Sequence, residues 1–169
     1  MKRFFAGSLL VLLALCGCAR NLISDTSLAQ ADRSISFNDL LKNPDVYRGK
    51  TVILGGGIAG TTKLDDGMQI ELIQYNLDAR QMPVEASGSE GRFLALLPES
   101  LNKTINISLC KRGMLVSLAG EVLGKKVLPL KGADYTYPVI RISELRIIKG
   151  VDEGTLRRWE PPLEGAPRL

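Results

Sequence analysis

The sequence predicts a mainly β domain. The architecture expected is a small five- to six-stranded OB-like Greek-key barrel with one short N-terminal helix. Two observations predict it. Between residues 51 and 148 the apolar residues recur mostly at every second position, in runs bounded by Gly, Pro, Asn and Asp. The first of those runs is long and glycine-rich, which lets one strand coil tightly enough to serve both halves of a small barrel. A small antiparallel β-sandwich is the alternative with the same strand pattern.

The elements follow in chain order. Ser36-Phe37-Asn38-Asp39 reads as an N-cap with an acidic residue at N3, and Phe37, Leu40 and Leu41 share one face of a short helix. Asn43-Pro44 ends it, because the residue before proline is driven out of the α region. Thr51 to Thr61 is the first strand. Asp66-Gly67 marks a hairpin turn, after which Met68, Ile70 and Leu72 alternate with Gln69 and Glu71. Asp78 to Gly91 is a polar connection. Arg92 to Leu97 is a third strand, stopped by Pro98, and residues 104–109 read as an edge strand. Leu115 to Val122 is the fourth strand, with a turn expected at Gly124-Lys125-Lys126. Tyr135 to Ile148 is the fifth. Its inward set moves from Ile140 and Ile142 to Leu145 and Ile147, a phase slip that implies a β-bulge at Ser143 and Glu144.

The start of the chain has another character. Lys2 and Arg3 precede an apolar run from Phe4 to Leu15, too short to cross a bilayer and suited to a signal-peptide core. Leu15-Cys16-Gly17-Cys18 then has the form of a bacterial lipobox: Leu, two small residues, and the thiol that receives diacylglycerol, with cleavage between Gly17 and Cys18. Cys18 is therefore the expected lipidation site. Each buried CH₂ of an acyl chain contributes about 0.8 kcal/mol, so several chains on Cys18 hold a protein on a membrane without a spanning helix. Ala19, rather than Asp, follows the cysteine, which favours the outer membrane given a Gram-negative source. The expected organisation is a leader over 1–17, a lipid-anchored flexible tether over 18–34, a single barrel domain over 35–150 and a flexible polar, Pro-rich tail over 151–169.

Composition narrows the chemistry. The 169 residues include no histidine, which removes Ser-His-Asp and Cys-His catalysis together with the commonest metal ligand. The net charge is +4, and two of those charges, Lys2 and Arg3, leave with the leader. That is no footprint for nucleic acid. Cys110 is the one thiol left beyond Cys18 and is expected in or near the core. Gly55-Gly56-Gly57-Ile58-Ala59-Gly60 satisfies a dinucleotide fingerprint in letters, but no helix opens at its last glycine, so it reads as strand curvature or close backbone packing. Asp65-Asp66 lacks the alternating ligands of a calcium loop and reads as a turn. No cofactor, metal or catalytic residue is assigned. Tyr75, Phe93, Tyr135 and Tyr137 are core candidates or the lining of a glycan groove. Arg141, Arg146, Lys149, Arg157 and Arg158 form a basic C-terminal end that is either solvated or in contact with lipopolysaccharide phosphate. Glu71, Asp78, Glu85, Glu90 and Glu121 are the carboxylates from which a glycan-processing hydrolase would draw a catalytic pair.

Asn43-Pro44-Asp45-Val46-Tyr47-Arg48-Gly49-Lys50, the run from Val52 to Ile58, Glu71 to Asp78, Gly91-Arg92-Phe93-Leu94, Gly120 to Gly124 and Tyr135 to Val139 occur in an order and spacing that resembles the Slp family, the starvation-inducible outer-membrane lipoproteins of Gram-negative bacteria. The resemblance implies an outer-membrane lipoprotein associated with stationary phase or stress, anchored through Cys18. The function expected is a non-enzymatic, lipid-anchored binding or structural module whose partners are the membrane and an envelope protein, glycan or lipopolysaccharide. An envelope glycan hydrolase is the alternative.

Overall fold

A computed structural model describes residues 21–101 and 104–150, with 149 and 150 as backbone only. The leader, Cys18 and the 151–169 tail lie outside the described residues. The described elements are α1 (Asp25–Gln30), α2 (Phe37–Lys42), β1 (Thr51–Leu64), β2 (Gly67–Leu77), β3 (Pro83–Val84), β4 (Arg92–Pro98), β5 (Met114–Leu130) and β6 (Ala133–Gly150).

The sheet runs β1-β5-β6-β4-β2-β3, and β1 also pairs with β2. Those pairings close five strands into a barrel, with β3 as a two-residue addition at the edge of β2. All pairings are antiparallel except β4 with β6, where Leu94, Ala95 and Leu96 run parallel to Val139, Ile140 and Arg141. This is the OB-type closure that the strand pattern predicted. Alternate residues fill the interior: Val52, Leu54 and Ile58 from β1, Ile70 and Leu72 from β2, Phe93, Ala95 and Leu97 from β4, Val116, Leu118 and Val122 from β5, Ile140, Ile142 and Leu145 from β6. The change of phase in β6 is a bulge as expected: Glu144 opposes Ala119 and Ile142 opposes Gly120, which leaves Ser143 as the extra residue.

Helix α2 begins with a reciprocal capping box between Ser36 and Asp39 and sends Phe37 and Leu40 into the core. Phe37 meets Phe93 with ring centroids 5.8 Å apart, so α2 packs where β4 begins. The connection from β4 to β5 contributes Leu101, Ile105 and buried Cys110 to the same core.

Three features differ from expectation. Residues 104–109 form no strand; Ile107–Leu109 is a 3-10 turn, with the Asn106 side chain accepting from the Ser108 amide. No turn interrupts the chain at Gly124. Strand β5 continues to Leu130 and returns as β6 through Lys131-Gly132, both with positive φ, which is the geometry of a two-residue hairpin. Gly124, at φ +114, follows a register slip, and the Arg48 guanidinium and Asp45 carboxylate occupy the space where its side chain would be. Finally, residues 21–34, placed in a tether by the sequence reading, pack on the barrel and include α1. Ile23 and Leu28 settle against Ala119 and Ile53 on the outer surface of β5 and β1, which removes two large aliphatic groups from water.

Candidate functional site

Two parts of the outer surface carry organised polar chemistry. The first holds the N-terminal segment. The Leu22 amide donates to the Arg80 carbonyl at 3.1 Å, and Arg146 Nε donates to the Leu22 carbonyl at 3.1 Å. The chain is thus gripped between the 78–82 loop and β6. Next to it, Ser24 caps α1 and also donates its amide (3.1 Å) and hydroxyl (2.7 Å) to Glu144, while the Ser27 hydroxyl donates at 2.6 Å. Arg146 Nη2 lies 2.9 Å from the same carboxylate. Burial pushes the Glu144 carboxyl up, but the Ser27 and Ser24 hydrogen bonds and the Arg146 charge outweigh it, and the group sits below its ordinary value. Ile23, fully buried between these anchors, adds roughly 1.5–3 kcal/mol of apolar burial.

The 78–82 loop is itself rigidly built. Asp78 accepts from the Arg80 and Met82 amides at 2.8 Å each, and Ser117 on β5 donates its hydroxyl to the Gln81 carbonyl. Gln81 takes φ +63, and its side-chain oxygen is buried with no hydrogen-bond partner among the described residues. It borders a cleft of about 370 Å³ that also includes Leu28, Asp32, Ile53 and Leu77. A second cleft of about 240 Å³ shares Ile35, Ile53 and Leu77 with it and is edged by Gln74, Asn76 and Glu90.

The second organised surface is the outer face of β2, β4 and β6. Arg92 lies 2.8 Å from Glu71, and the Tyr137 hydroxyl donates to the same Glu71 oxygen at 3.1 Å. Tyr135 accepts the Arg92 amide at 2.8 Å, and the two tyrosine rings meet edge to face with centroids 4.6 Å apart. Burial, and then the Glu71 charge, push the Tyr137 hydroxyl far up. Farther along, Lys126 from the long β5–β6 hairpin reaches Gln69 on β2. The base of the hairpin therefore reaches across to β2. Tyr75, Phe93 and Tyr137 are all buried, so they belong to packing and offer no open stacking platform.

The remaining sequence candidates are dispersed. Glu121 pairs with Arg141 at 2.7 Å, and Glu71 is committed to Arg92 and Tyr137. Asp78 spends its acceptors on its own loop. Among the described residues no cluster of three metal-ligating side chains occurs. Cys110 is free and buried, and burial raises its thiol pKa. In the glycine run, side chains at Gly55 and Gly56 would collide with Leu77 and with the Ile73 backbone, as close strand packing requires. Lys149, Arg157 and Arg158 have no described side chains. The Ser24–Glu144 grip had no visible signal in the sequence, because its members are 120 residues apart.

Comparison with known proteins now decides the family. Residues 15–160 match the Outer membrane lipoprotein Slp family. The chain belongs to that family. Its members are outer-membrane lipoproteins of Gram-negative bacteria, and this protein is accordingly assigned to that membrane. An uncharacterised protein of Haemophilus influenzae is 30% identical over 104 residues, covering 58% of this chain and 51% of the relative. The chain thus spans about half the length of the curated relative it matches. Among solved structures, the mitochondrial single-stranded DNA-binding protein of S. cerevisiae aligns with 60% of this chain and 97% of its own at 13% identity and TM-score 0.38. Aspartyl tRNA synthetase of Entamoeba histolytica aligns with 69% of this chain and 21% of its own at 13% identity and TM-score 0.42. A small single-stranded DNA-binding protein of Streptomyces coelicolor aligns with 59% of this chain and 94% of its own at 15% identity and TM-score 0.39. The barrel assignment for this Slp family member rests on its own strand pairings.

Proposed function

We propose that this Slp family member is a lipid-anchored, non-enzymatic module of the outer membrane, with Cys18 as the acylated residue and a binding or structural role in the envelope under stress or in stationary phase. The observation that carries the reading is the family match, which starts at Leu15 and so takes in the lipobox together with the barrel. The mechanism is tethering: acyl chains confine the barrel to a thin layer and raise its effective concentration for envelope partners. The disposition of the carboxylates favours this over glycan hydrolysis, since Glu71 and Glu121 are each engaged by an arginine. A small envelope ligand would enter at the clefts around Ile53 and Leu77.

The test is Cys18→Ala expressed in a Gram-negative host. The variant should move from the membrane pellet to the soluble fraction, and intact-mass analysis of the wild type should show acyl chains at Cys18. Retention of the variant in the pellet would contradict the anchor.

A further inference from the structure

Asn21, the first described residue, stands three residues after Cys18. From Cys18 to Asn21 the chain can span no more than about 11 Å, however it runs. A body of about 130 residues has a radius of gyration of roughly 14 Å and is therefore on the order of 35 Å across. That reach is much shorter than the body. Asn21 is also no loose end: it leads directly into Leu22, pinned by Arg80 and Arg146, and Ile23, which is fully buried. The surface around Asn21 is then the part of the barrel that the anchor brings to the bilayer. Exposed Arg80 stands on that surface, and a guanidinium near a bilayer is drawn to lipid phosphates. Arg146 is committed to the Leu22 carbonyl and Glu144, and Asp25 and Asp78 are exposed on the same surface, so the short reach from Cys18 and not net charge sets the orientation.

We propose that the protein rests on the membrane in a fixed orientation, with residues 21–25, the 78–82 loop and the Arg146 end of β6 against the phospholipid headgroups. The proposal rests on the reading of Cys18 as the anchor. It leaves the β5–β6 hairpin away from that contact: Val127 pairs with Thr136, ten residues along β6 from Arg146, up to roughly 33 Å by strand rise.

The experiment uses the full lipidated protein in vesicles of phosphatidylethanolamine and phosphatidylglycerol. A photo-crosslinking residue is placed at Arg80 or, in a separate variant, at exposed Val127. Lipid adducts are then quantified by mass. Capture at position 80 should exceed capture at 127 by at least about fivefold. Inserting about eight Gly and Ser residues between Ala19 and Arg20 lengthens the reach from Cys18 by up to ~28 Å and should erase that difference while the protein stays in the membrane fraction. Equal capture at both positions in the uninserted, membrane-bound protein would overturn the orientation and leave the anchor standing. An unmodified Cys18 with protein in the soluble fraction would overturn the anchor reading, and the orientation with it.

Discussion

Gly56 is a position where the barrel leaves no room for a side chain. It pairs with Gln74 on one side and Val116 on the other, at the centre of the closed sheet. A Cβ built there would overlap the Ile73 carbonyl oxygen and lie 3.0 Å from its carbonyl carbon. The obstacle is backbone held in the β1–β2 ladder, so it cannot rotate aside as a side-chain terminus can. Relieving the overlap takes a shift on the order of 1 Å in a hydrogen-bonded strand. Overpacking of this kind costs ~1–3 kcal/mol and occasionally more, and backbone against backbone belongs at the upper end. Gly60 is the control, since its nearest neighbour is the end of Glu71 at 3.9 Å and its φ is not positive. Gly60→Ala should be neutral or stabilise by ~0.4–1 kcal/mol by restricting the unfolded chain. The assay is urea unfolding of both variants in a Cys18→Ala background, read as a change in midpoint at constant slope. A Gly56→Ala loss below about 0.5 kcal/mol, or equal losses at both glycines, would refute the argument that close strand approach explains the run.

Three more outcomes are expected. Glu144 is held below its ordinary carboxylate value, so its contribution to docking residues 21–30 is complete above about pH 4.3 and is lost as pH falls through the folded value; the Ser24 amide resonance should report that transition, and Glu144→Gln should abolish it. Tyr137→Phe removes one donor to Glu71 while Arg92 remains, which should cost ~1–2 kcal/mol in chemical denaturation without altering the fold. Buried Cys110, with its thiol pKa raised, should react with a soluble thiol reagent on the order of 100-fold more slowly in the native protein than in urea, and equal rates would place it at the surface.

The barrel was legible because its signals are local. The run around Met68 to Leu72 shows its period of two, Asp66-Gly67 shows its turn, and the Ser143 bulge shows as a slip in the apolar phase. The hairpin beyond Gly124 was misread because that glycine and the two exposed lysines after it look like a turn. Their reason is tertiary: the Arg48 guanidinium takes the space at Gly124. The docking of residues 21–34 was illegible for a similar reason. Ile23 and Leu28 are five apart and show no period, and what holds this segment, Ala119 against the two aliphatic groups and Glu144 against Ser24 and Ser27, is supplied by strands far along the chain. Glu71 and Glu121 stand out in the sequence as chemical candidates, but only their arginine and tyrosine neighbours in space show that they are already engaged.

The closing strand of the barrel is also the last strand among the described residues. Val139 to Arg141 must lie beside Leu94 to Leu96 before the cylinder is complete, and these partners are 45 residues apart. Glu144 sits three residues farther on. The N-terminal segment therefore gains its landing place only after nearly the whole polypeptide has been delivered and threaded into register, a search dominated by distant pairings and correspondingly slow. Until then Ile23, Ser24 and Leu28 have no completed surface to dock on.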